Sequence, residues 1–240
     1  MNQNSILAVL CVFFLLSSES DAQQTLFSVP TGEITKDGKL YFQDDLTVTD
    51  QTQINYTLSY GLGGFMEFGV NIWDLTLKLV EGRRFITIDP ATPEQNLKLL
   101  ANSQMGVELA DWFKLSLGTR TGAAAADQLR KFTLATFSYA TTQTQIQALR
   151  TKIILGGYYA NQAYKGEGTD AGIMAGLQIA LLPRELFLQA DFLSGNSAIS
   201  NITAGFGLVL SRHWNVAAGV QLPVPGSGNT PGASFQISYR

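Results

Sequence analysis

From Gln53 onward, apolar and polar residues alternate with a period of two in segment after segment. Ile54, Tyr56, Leu58, Tyr60 and Leu62 are set against Asn55, Thr57 and Ser59, and after Gly63-Gly64 come Met66, Phe68, Val70 and Ile72 against Glu67, Gly69 and Asn71. Further along, Ile173 to Leu181, Leu186 to Phe192, Ile202 to Leu210, Trp214 to Leu222 and Phe235 to Tyr239 repeat the pattern. Side chains of a strand point alternately to its two faces, so each segment has one apolar and one small or polar face. A helix would put both classes on each face, and helical folds are excluded.

The connections carry equal weight. Short turns fall near Gly61–Gly64, Ala110–Trp112, Leu182–Glu185 and Ser211–His213. Longer Gly/Ser/Asn/Pro-rich loops fall near 73–98, 122–131, 161–170, 194–201 and 223–231. Twelve strands follow, near 40–49, 52–62, 64–72, 99–110, 112–121, 132–141, 150–160, 171–181, 185–193, 202–211, 214–222 and 232–240. With an even count, both termini and every tight turn fall at one end, and every long loop falls at the other. The expected fold is all-β, an antiparallel up-and-down transmembrane β-barrel with apolar side chains facing lipid. Residues 73–98 leave room for two more strands or for taller ones, and Thr92-Pro93-Glu94-Gln95 reads as a helix start. The faces of 132–141 and 150–160 and the phase of the first strand around Asp44-Asp45 are ambiguous.

Composition narrows what such a chain does. Charged residues make up 15% of its 240 residues, against about 25% in soluble domains. A mean hydropathy of +0.09 is too low for a bundle of membrane helices. The net charge is −3, with no basic run, so nucleic acid is not an expected partner. Cys11 and His213 are single representatives of their types, which leaves no Cys/His metal site, and no cofactor is expected. Ile6–Leu16 followed by Ser20 and Ala22 reads as a signal peptide over 1–22, despite the lack of Lys or Arg before it. Residues 23–38 are expected as a periplasmic lead-in and 39–240 as the barrel.

With its signal peptide, alternating strands, Gly-rich inner face and aromatic last strand (Phe235, Ile237, Tyr239), the chain resembles bacterial outer-membrane β-barrel proteins. Its turn-plus-strand units Leu109–Gly118 and Ser211–Gly219 are similar to those of small channel-like barrels linked to aromatic meta-pathway degradation. It departs from the usual pattern in ending on Arg240 after Tyr239. The resemblance implies export to the outer membrane, contact with its lipid and its assembly machinery, and a small solute of unknown identity.

The residues expected to line the lumen are Asn55, Glu67, Asn71, Glu108, Lys114, Arg120, Gln178, Gln189, Asp191 and Gln221. Acids and bases are mixed, so they define no single-sign filter. They either line a solute path or pair with one another in a closed interior. Inward Gly205, Gly207 and Gly219 leave room for solute or relieve crowding between strands. Trp112, Trp214, Tyr60 and Tyr239 fit an aromatic girdle. Arg83-Arg84 would suit an anion or remain a solvated loop pair. His213 sits in a tight turn beside Arg212, away from mid-strand, and Ser211 is too close in sequence to complete the Ser/His pair of an outer-membrane phospholipase, so no catalytic residue is expected. The leading expectation is a passive channel. The alternatives are a closed structural or adhesion barrel working through its loops, and a soluble secreted β-sandwich.

Overall fold

The computed structural model describes residues 24–80, 83–87, 97–126, 131–183 and 185–240. The expected signal peptide, the Thr92–Gln95 helix start and Arg184 lie outside the described residues.

Among the described residues, thirteen strands form one antiparallel sheet: β1 (Leu40–Val48), β2 (Thr52–Leu62), β3 (Met66–Val80), β4 (Arg83–Thr87), β5 (Lys98–Ala110), β6 (Phe113–Ala126), β7 (Lys131–Ile146), β8 (Thr151–Ala160), β9 (Ala171–Leu182), β10 (Leu186–Leu193), β11 (Asn201–Val209), β12 (Trp214–Pro223) and β13 (Gly232–Tyr239). Twelve of them close into a barrel, because β1 pairs with both β2 and β13, and β3 pairs with both β2 and β5. Closure leaves no sheet edge in lipid, which is the condition for strands to cross a membrane. β4 pairs only with the far end of β3, from Thr76↔Thr87 to Val80↔Arg83. The described part of the ambiguous stretch 73–98, the end of β3 and β4, thus forms a hairpin beyond the wall and adds no stave to it.

Five short links, between β2 and β3, β5 and β6, β7 and β8, β9 and β10, and β11 and β12, lie at one end, hereafter the turn end. The loop end holds the long connections, with one exception. Residues Thr49–Gln51 join β1 to β2 at the loop end in three residues, so short turns are not confined to one side. Polar Thr49 allows this, since its hydroxyl closes the turn on the Gln51 carbonyl.

The outward face carries the apolar alternation: Phe68, Val70, Ile72, Leu99, Met105, Val107, Leu117, Leu155, Ile173, Phe206, Leu208 and Val220 are all exposed. At the turn end Trp112, Trp214, Tyr60 and Tyr239 are exposed, and Trp214 packs edge-on against Tyr239 at 5.0 Å. These amphipathic rings have the placement of a girdle at the headgroup level.

Two local features shape the interior. A bulge between Ile54/Tyr56 and Leu75/Ile72 puts Asp74 at φ 60°. Asp tolerates this conformation better than most residues, and Asn55 Oδ1 accepts from its N–H at 2.8 Å. The extra residue allows consecutive Trp73 and Asp74 to line the same inner cavity. In β7 and β8 the inner face is aromatic: Phe137, Tyr139 and Tyr158 are buried, while Phe132, Leu134 and Leu155 face out. Both faces of these strands are therefore apolar, and the alternation is lost.

Candidate functional site: a plugged lumen

The lumen of the barrel is occupied by the chain's own N-terminal segment. Residues 23–38, expected as a periplasmic lead-in, turn back inside from residue 24. Gln24, Thr25, Leu26, Phe27, Val29, Thr31 and Thr35 are all buried. Gly38 marks the turn-end rim, donating its N–H to the Gly61 carbonyl at 3.1 Å. From there the chain runs inward and makes a small hairpin, with Thr25 bridged to Pro30 and the Thr31 N–H donated to the Gln24 carbonyl at 2.7 Å. Leu26 and Val29 are fully buried and join Phe137, Tyr139, Ile154, Tyr158 and Met174 in one apolar cluster. Burial of this apolar surface, at about 25 cal/mol per Å², is why the segment does not stay in water.

Glycines of the wall make the space. A Cβ on Gly176 would come within 2.7 Å of Leu26, one on Gly219 within 2.8 Å of Phe27, and one on Gly106 within 2.9 Å of Ile34. The room left by Gly219 is taken by the plug and is not open to solute.

Three acidic grips hold the plug. Asp191 Oδ2 accepts from the backbone N–H groups of Phe27, Ser28 and Val29, at 3.0, 2.5 and 2.9 Å. Glu67 Oε2 accepts from the Gln24 amide at 2.6 Å and from the Thr35 N–H and hydroxyl, both at 2.7 Å. Glu33, on the plug, pairs with Lys152 at 2.9 Å and Lys114 at 3.2 Å, and accepts from Gln143 at 2.8 Å. Burial by itself would raise the Glu33 carboxyl, but Lys152, Lys114 and Gln143 outweigh it and hold its pKa at about 2. Neutral contacts complete the hold: Gln104 donates to the Thr31 carbonyl, Gln143 accepts from the Gly32 N–H, and Gln236 donates to the Phe27 carbonyl.

Above the plug, towards the loop end, lies a cavity of about 120 Å³ with Thr25, Phe27 and Ser28 at its base. Its walls include Asp45, Asn55, Trp73, Asp74, Arg120, Phe137, Asn201 and Gln221. The loop after β8 contributes Tyr164 from a four-residue helix, Gln162–Lys165, that Asn161 caps. Tyr164 stacks on Phe137 at 5.1 Å and lies 5.6 Å from Trp73. Beside the plug, among the described residues, lies a cleft of about 20 Å³, room for a water and not for a solute.

The ten residues singled out from sequence are distributed over these features. Glu67, Asp191 and Lys114 grip the plug, and Asn55, Arg120 and Gln221 line the cavity. Asn71 is buried between Thr57 and Asn102, to which it is hydrogen-bonded. Gln178 and Gln189 are buried opposite each other on β9 and β10. Glu108 stands at the turn-end rim, 56% exposed and 3.9 Å from Lys114. Its registered cross-strand partner is Lys114, but the closer partner of that lysine is Glu33. The acids and bases of the wall therefore pair largely with the plug and not with one another. The grips missed from sequence are Glu33, Gln104, Gln143 and Lys152. The signals available were a lone acid in a short segment and a Pro30-Thr31-Gly32 turn.

His213 lies at the turn-end rim, exposed, with Nδ1 2.6 Å from the Arg240 carbonyl oxygen and its ring 5.6 Å from Tyr239. The side chains of Arg83 and Arg84 lie outside the described residues.

No protein-family model matches the chain, and neither does any curated protein. The finer resemblance to meta-pathway barrels therefore gains no support. Among solved structures the barrel is similar to the KdgM porin (7% identity, TM-score 0.59, covering 83% of this chain and 98% of that one). It is similar to the KdgM porin in complex with disordered oligogalacturonate at 6% identity and TM-score 0.58, with the same coverage. Outer membrane phospholipase A from Escherichia coli aligns over 91% of this chain and 99% of its own at 9% identity, with a TM-score of 0.48. At these identities the likeness to the KdgM porin speaks for architecture: the chain has the twelve-stranded fold of a bacterial outer-membrane β-barrel protein.

Proposed function

We propose that this chain is an outer-membrane channel for small solutes whose lumen is closed at rest by its own residues 24–36. The observation that carries this reading is the kind of hold on the plug. It is fastened by three carboxylates and a few amides around an apolar contact, that of Leu26 and Val29 with the β7–β8 wall, and a cavity lies above it. A segment held by discrete polar contacts exchanges them for water when it leaves, at modest net cost per bond. A purely structural barrel would fill its interior with wall side chains, and twelve strands lie between the filled eight and the open sixteen. The short turns at the end where the plug enters suit the periplasmic side. The last strand, β13, alternates to Tyr239 at that end, as a signal for barrel assembly would.

The reading is of a non-enzymatic barrel. His213 is engaged by the Arg240 carbonyl in an exposed rim turn. A second reading, a closed barrel acting through its loops, is favoured by the same plug if it never leaves.

Proteoliposome swelling tests the proposal. Purified protein in vesicles exposed to a size series of sugars should give slow, size-limited entry, accelerated when the plug grips are removed. Impermeable vesicles with every variant would leave only the closed barrel.

A further inference from the structure

Arg120 is a buried cation that makes no close ion pair among the described residues, Asp45 and Glu67 acting on it only from a distance. It is 8% exposed on the inner face of β6. Its guanidinium lies 4.7 Å from the Trp73 ring and 5.8 Å from the Phe137 ring, with the Tyr164 hydroxyl beside it. Among the described residues no carboxylate comes within ion-pair distance of it. The acids of the same cavity are engaged elsewhere: Asp74 with Lys98, and Asp45 as acceptor from Gln43 at 2.8 and 3.0 Å. Removing a charge from water without a partner is costly, and aromatic faces return only part of that cost. A second donor points the same way. The Trp73 indole N–H, lining the same cavity, is buried with no acceptor among the described residues, whereas such groups are almost always satisfied.

We infer that the cavity above the plug is a binding site for a small carboxylate with an apolar or aromatic body, its head taken by Arg120 and the Trp73 N–H and its body by Phe137 and Tyr164. A guanidinium matches a carboxylate through paired N–H donors, and a neutral solute would leave the charge unpaired. At about 120 Å³ the cavity is comparable with one that holds a single benzene ring, so the body is of one-ring size. The wall acid Asp45 disfavours a polyanion. The inference adds a solute class to the channel reading, but binding at this site does not require conduction.

The test is equilibrium binding of benzoate to the refolded barrel in detergent, read by fluorescence in a Trp112→Phe/Trp214→Phe background so that Trp73 alone reports. Benzamide and benzylamine are the neutral and cationic controls. Saturable benzoate binding is expected, at least tenfold tighter than either control. Arg120→Gln should weaken it tenfold or more, and Arg120→Lys should keep part of it. If Arg120→Gln fails to fold, as judged by heat-modifiable migration, the ranking of the three ligands in the parent decides. Equal binding of benzoate and benzamide, an undiminished folded Arg120→Gln variant, or no saturable benzoate signal would overturn the inference. Benzoate binding without any conductance would uphold this site and remove the channel. Conductance without benzoate binding would do the reverse.

Discussion

Replacing Asp191 with Ala should release the tip of the plug. One oxygen of this buried carboxylate accepts from three consecutive backbone N–H groups, those of Phe27, Ser28 and Val29. Hydrogen bonds to a charged acceptor contribute about 1.5–3 kcal/mol each, and a buried donor left without an acceptor costs about 1–3 kcal/mol. The three bonds share one oxygen, and the desolvation cost of the carboxylate disappears with it, so the sum is well below three full bonds. A loss of about 3 kcal/mol is a reasonable net, which raises the ratio of undocked to docked plug roughly 150-fold. Asp191→Asn keeps an acceptor oxygen without the charge and should fall between parent and Ala. Two assays report the change. Hydrogen exchange at the amides of Phe27–Val29 should accelerate by about the same factor, and planar-bilayer recordings should show more frequent openings. The barrel wall itself should keep its exchange protection. Unchanged protection at those three amides in a folded Asp191→Ala protein would refute the assignment of the carboxylate as the main grip.

Acid should loosen the turn-end grip. The Glu33 carboxyl is held near pKa 2 in the docked plug, against an ordinary 4.5. A depressed carboxylate contributes stability that is fully present above its free value and is lost as pH falls through the docked one. Docking should therefore weaken between about pH 4.5 and 2, by up to about 3 kcal/mol, and opening frequency in parent protein should rise over that window; Glu33→Gln should be loose already at pH 7 and lack the transition. On the wall, Leu208→Arg at the lipid face should block membrane folding at a cost of about 2–4 kcal/mol, while Gln221→Arg in the cavity should fold, and equal yields would show that the faces are misassigned. Asp44 faces outward in the middle of β1, opposite Tyr56 and Ile237, with one oxygen buried and unpartnered. Asp44→Leu should raise the urea midpoint of the barrel in lipid, and a lowered midpoint would mean that this carboxylate has a partner outside the chain.

The architecture was legible wherever the two faces of a strand differ chemically. β11 and β12 set Ile202, Phe206, Leu208 and Val220 against Thr203, Gly205, Gly207 and Gln221, and lipid outside with small or polar groups inside is all that pattern needs. In β7 and β8 it failed because the inner face packs Phe137, Tyr139 and Tyr158 on the plug, so the interior is locally as apolar as the exterior. The plug itself, Gln24-Thr25-Leu26-Phe27-Ser28-Val29-Pro30, has no period. Its conformation is dictated by the wall it enters, through Asp191, Glu67 and Gln236, from strands distant in sequence. The Glu108–Lys114 register followed from the tight turn at Ala110–Trp112, yet the closer claim on Lys114 comes from Glu33, which no local rule connects to it. The bulge at Asp74, which helps bring Trp73 to Arg120, likewise has no sequence signature beyond an Asp able to adopt positive φ.

The central claim, that the lumen conducts only when residues 24–36 leave it, is open to a reversible lock. Cβ atoms built at Gly32 and present at Gln143 lie 3.5 Å apart, within the usual range for a disulfide. The sole native cysteine, Cys11, lies in the expected signal peptide. Single-channel recordings of Gly32→Cys/Gln143→Cys, oxidised and then reduced in the same bilayer, should be compared with a chain lacking residues 24–36. The account predicts a silent oxidised barrel, openings that return on reduction, and sustained conductance from the deletion. Oxidised protein that conducts as freely as the reduced form, or a deletion that stays silent, would contradict it.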